Sequence, residues 1–68
     1  MKTVEKTSRR IIIEITLEEI SKNGFESLWD EIRDIYPAKI YEVHSVHEII
    51  LGMLIEVELR PIPKKLPG

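Results

Sequence analysis

The fold turns on how one stretch is read: Ile49-Ile50-Leu51-Gly52-Met53-Leu54-Ile55-Glu56-Val57-Glu58-Leu59-Arg60. As a strand, whose side chains alternate between two faces, it sets Ile49, Leu51, Met53, Ile55, Val57 and Leu59 on one side. As a helix, Ser45 and Glu48 would cap it, and Val46, Ile49, Ile50, Met53 and Val57 would form a stripe. The helix then leaves Leu51, Ile55 and Leu59 pointing into water beside Glu48, Gly52 and Glu56. The strand leaves less apolar surface unexplained, and the β-branched content agrees with it. We adopt the strand, with a tight turn near His47-Glu48; a helix over residues 46–60 is the alternative.

Upstream, Ile11, Ile13, Ile15 and Leu17 alternate with Ile12, Glu14 and Thr16, which predicts a strand over residues 9–17. Asn23-Gly24 then leads into Phe25, Leu28, Trp29, Ile32 and Ile35 or Tyr36, spaced as one face of an amphipathic helix. Asn23 and Glu26 have capping-box spacing, and Pro37 ends the helix because it has no N–H to donate. Thr16 and Glu19 offer a second capping box, which leaves open an earlier helical turn over residues 17–22. Residues 39–47 read as a further strand. The expected fold is α+β: a βαββ domain over residues 9–60, with a three-stranded antiparallel or mixed sheet and one helix on one face. A right-handed crossover makes the first two strands parallel and sets the third antiparallel between them. Residues 1–8 are read as a flexible N-terminus and residues 61–68 as a flexible Pro/Lys tail.

The segment Ile35-Tyr36-Pro37-Ala38-Lys39-Ile40-Tyr41-Glu42-Val43-His44, with the apolar strand after it, resembles the ligand-sensing domains of Lrp/AsnC regulators. In those domains a helix leads through a short loop into a hairpin. The run Ile49-Ile50-Leu51-Gly52-Met53-Leu54 is similar to the third strand of archaeal elongation factor 1-beta exchange domains. Both resemblances imply half of a ferredoxin-like domain, and both families continue with a second helix and a fourth strand. In dodecins, small βαββ flavin-binding oligomers, the ligand-stacking Trp sits on a strand; Trp29 falls on the helix, so flavin binding is not implied.

Composition narrows the function classes. The chain has 68 residues, enough for one domain. At that size folding buries only about 60% of the unfolded chain's surface. No cysteine is present, which removes disulfides, thiolate zinc sites and thiol catalysis together. The remaining common support is self-association, and the expected partner is a further copy of the chain. An apolar fraction of 43% beside 32% charged residues is globular rather than disordered. A net charge of −2 provides no global attraction to nucleic acid or to an anionic membrane. No apolar run suits a signal peptide or a membrane span, so a cytoplasmic location is expected. The absence of Cys and Gln beside abundant Ile, Glu and Lys is the pattern of hyperthermophile proteins, and a thermophilic, archaeal source is expected.

No catalytic or cofactor motif appears: the serines lack a nucleophile-elbow pattern, and Gly24 and Gly52 stand alone, with no phosphate-cradling loop. His44 and His47, with Glu42 close by, are the candidate metal ligands. On a strand, residues three apart point to opposite faces, so surface or interface histidines are the simpler reading. Arg9, Arg10, Lys39 and Tyr41 are the candidate nucleic-acid residues, set against an acidic sheet face of Glu14, Glu42, Glu56 and Glu58. On that face the strand reading also places Ile12, Ile40, Val46, Ile50 and Leu54, more aliphatic surface than a monomer leaves open. These five are the expected oligomer interface. The resulting expectation is a non-catalytic homo-oligomeric binding or structural module, ahead of a nucleic-acid-binding regulator and of an oligomer binding a metal or small molecule.

Overall fold

The computed structural model describes residues 1–63. Its elements run β1 (Lys2–Lys6), β2 (Ile11–Thr16), α1 (Leu17–Asn23), α2 (Phe25–Ile35), β3 (Tyr41–Ile49) and β4 (Leu54–Pro61). The class is α+β. The sheet has four strands in the order β1-β2-β4-β3, and every neighbouring pair is antiparallel.

Two elements depart from the expected βαββ pattern. Lys2–Lys6 is not a loose end: it pairs with β2 and covers the edge that the sequence reading left open. Its polar residues suit an edge strand, where Lys side chains and a bulge between Thr3 and Glu5 discourage further pairing. The stretch after Thr16 is a helix of its own. The Thr16 hydroxyl accepts from the Glu19 N–H at 3.1 Å, while the Glu19 carboxylate receives the Thr16 N–H, completing the capping box. Asn23 does not cap the second helix. Gly24 joins the two helices at φ 82° and ψ 141°, an extended positive-φ geometry that favours glycine.

Residues 49–60 do not form one strand. Ile49 pairs with Leu54 across a four-residue turn in which the Met53 N–H donates to the Ile50 carbonyl at 2.9 Å. The reversal therefore falls later than His47-Glu48, and Leu51 projects into solvent rather than toward the core. At the other end, β4 extends to Pro61, and the Ile62 N–H still donates to Ile40. The tail residues Lys64 and Lys65 lie outside the described residues.

The core lies on the helix side of the two central strands. Ile11, Ile13 and Ile15 of β2 face Leu59, Val57 and Ile55 of β4 in register, and Leu28, Ile32 and Tyr36 of α2 close over them. Tyr36 rather than Ile35 completes the helix stripe, since Ile35 is 55% exposed. With its apolar face turned to β2 and β4, α2 leaves the inner side of β3 only half covered, Val46 being 49% exposed. No helix among the described residues is long and apolar enough to cross a membrane.

Candidate functional site

The site is set by β3, a nine-residue edge strand whose outer row of backbone groups faces no strand among the described residues. A bulge between Val43 and Ser45 inserts His44 as an extra residue. Register with β4 fixes the consequence. Val43 opposes Leu59 and Val46 opposes Val57, so both valines stand on the helix side although they are three residues apart. Glu42 opposes Arg60, Ser45 opposes Glu58 and His47 opposes Glu56, which places these three on the open face.

Above the inner side of β3, Phe25 and Trp29 lie one helical turn apart on α2, with rings stacked at 5.9 Å and 18°. With Val46 they line a shallow apolar groove bordered by Glu26 and Asp30. Phe25 is 39% exposed and Val43 38%. The open face, in contrast, is mostly charged. Ile12 and Leu54 lie on it, joined by Ile49, among Glu14, Glu42, Glu56 and Glu58. Of the other expected interface residues, Val46 stands on the helix side, Ile40 in the turn before β3 and Ile50 in the turn after it. A second apolar patch, made of Leu17, Ile50, Met53 and Leu54, lies at the β3–β4 turn.

The basic residues gather at the opposite end. Arg9, Arg10 and Arg60 line one surface hollow with Glu5, Thr7 and Ser8, Arg10 standing just before β2, and Tyr41 opens β3 opposite Pro61 at the same end. Lys39 occupies the turn leading into β3. Tyr41 is turned toward Tyr36, edge to face at 5.3 Å, and Lys6 lies 5.9 Å from the Tyr36 ring centre. The Arg33 guanidinium donates to the Tyr41 carbonyl at 3.2 Å, tying α2 to the start of β3.

Two of the arginines already have carboxylate partners. Arg10 is held by Glu5, and that charge-assisted bond raises the guanidinium pKa still further. Arg60 donates to Glu58 at 2.6 Å and holds the Glu58 carboxyl below its ordinary range, against a smaller opposing effect of desolvation. As for metal binding, His44 sits in the bulge while Glu42 and His47 occupy separate positions on the open face. Among the described residues, no three His, Asp or Glu side chains converge in metal-binding geometry.

No protein-family model, curated protein or solved structure matches this chain. The β3 bulge is the feature sequence reasoning missed. No local signal marks it, because an extra residue is visible only against the register of the neighbouring strand.

Proposed function

We propose that the chain is a non-catalytic homo-oligomeric interaction module, with its contact surface on the β3 edge and the groove beside it. The carrying observation is that Phe25, Val43 and Val46 stay 38–49% exposed next to an edge with no strand partner among the described residues. Apolar groups left in water beside unsatisfied backbone invite another chain. The edge is favoured over stacking through the open face, where carboxylates surround the few aliphatic side chains. It is also favoured over nucleic-acid binding at the basic end, because Glu5 and Glu58 already partner Arg10 and Arg60.

Size-exclusion chromatography with light scattering tests the proposal on the wild type and on Val46→Glu. The wild type should run as an oligomer, and the variant should shift to the mass of a single chain. Val46 is half exposed, so the substitution leaves the core intact. A wild type that stays monomeric at every concentration would defeat the proposal.

A further inference from the structure

The β3 edge is two-fold complementary to itself, and we infer that its occupant is the β3 edge of a second copy, antiparallel, with the symmetry axis at the His44–Ser45 bulge. This rests on the self-association proposed above and specifies its geometry.

Reading outward from the bulge, the first two positions on each side meet suitable partners. Val43 falls opposite Val46 of the second copy, and Val46 opposite its Val43. Glu42 falls opposite His47, and His47 opposite Glu42. The faces agree as well as the chemistry: register with β4 puts both valines on the helix side and both Glu42 and His47 on the open side. A two-fold axis perpendicular to the sheet keeps each face on its own side, so this agreement is a requirement of the pairing. Without the extra residue, Val43 and Val46 would point to opposite faces and no such match would exist. Apolar pairs and hydrogen-bonding polar pairs are favourable cross-strand combinations, and the Glu42 carboxylate can accept from a His47 ring N–H.

A bulge ordinarily protects an edge against strands that lack the same irregularity. A second copy presents its own bulge at the axis, so the device that deters other strands is compatible with self. Pairing would join two four-stranded sheets into one. It would also set four valines along the floor of a trough, with Phe25 and Trp29 of each copy along its walls.

The absence of native cysteine allows a direct test of register. Val43→Cys and Val46→Cys are prepared separately, one uniformly labelled with nitrogen-15, then mixed, refolded together and oxidised. Opposed strand positions lie about 4.5–5.5 Å apart at Cα, within disulfide range. In the inferred register a residue meets its own counterpart only diagonally, at about 7–8 Å. Mass spectrometry should therefore show the mixed disulfide, joining position 43 of one chain to position 46 of the other, exceeding either homodisulfide several-fold. Homodisulfides in equal or greater yield, or no cross-link although light scattering shows an oligomer, would overturn this register and leave self-association standing. A monomeric wild type would overturn both.

Discussion

Leu51 is fully exposed and sits at φ 51°, between Ile50 at φ 50° and Gly52 at φ 77°. Only the last of these suits the left-handed region, which costs other L-residues roughly 1–2 kcal/mol. A leucine at this tip has no buried contact to set against that cost. Leu51→Asn should therefore stabilise the fold by about 1 kcal/mol, because Asn tolerates this geometry. Urea unfolding would show a higher midpoint at unchanged slope. An unchanged or lower midpoint would mean that the turn carries no such strain. The same residues explain why the β3–β4 reversal was illegible in the sequence. Turns are usually recognised by Gly, Asn, Asp or Pro, and Ile50-Leu51 has the composition of strand interior. Alternation continues formally through Gly52 and Met53, so the pattern reads as one strand where the chain makes two.

At the scale of elements, legibility followed how much of an element's identity is local. The α2 helix was readable because Leu28, Ile32 and Tyr36 mark a buried stripe and Pro37 ends it. The β2 strand was readable from its alternating isoleucines, buried at every second position. The β1 strand was not: Lys2–Lys6 has no apolar alternation, and its strand character comes from pairing with β2. The face of Val46 was misplaced for a related reason, since one extra residue in β3 inverts every side chain beyond it. α1 lies between these cases. Its seven residues bury none fully, so its start depends heavily on the Thr16–Glu19 capping box. Thr16→Ala should cost about 0.5–2 kcal/mol, the usual range for losing such a cap. Thermal melting followed by circular dichroism would show the loss, and Thr16→Ser should largely restore it. Equal melting of wild type and Thr16→Ala would show that α1 is held by packing of the half-buried Ile20 alone.

For the whole molecule, the question is what supports so small a domain. Among the described residues eight form the buried cluster, and the chain has no cysteine for a disulfide. Domains of this size keep roughly 40% of their unfolded surface in contact with water, so a modest additional burial changes the balance. If β3 pairs with β3, folding and association are linked, and the native state gains stability by mass action as protein concentration rises. The melting temperature should then climb with concentration for the wild type and stay flat for Val46→Glu. At high dilution the two should converge, because Val46 is half exposed and contributes little to the isolated fold. Differential scanning calorimetry across a wide dilution series reads both slopes. A flat wild-type curve would mean that the eight-residue core suffices alone and that the exposed groove belongs to a partner other than this chain. A rising curve in both proteins would place the association elsewhere, with the apolar patch at Leu17, Ile50 and Met53 as the next surface to alter.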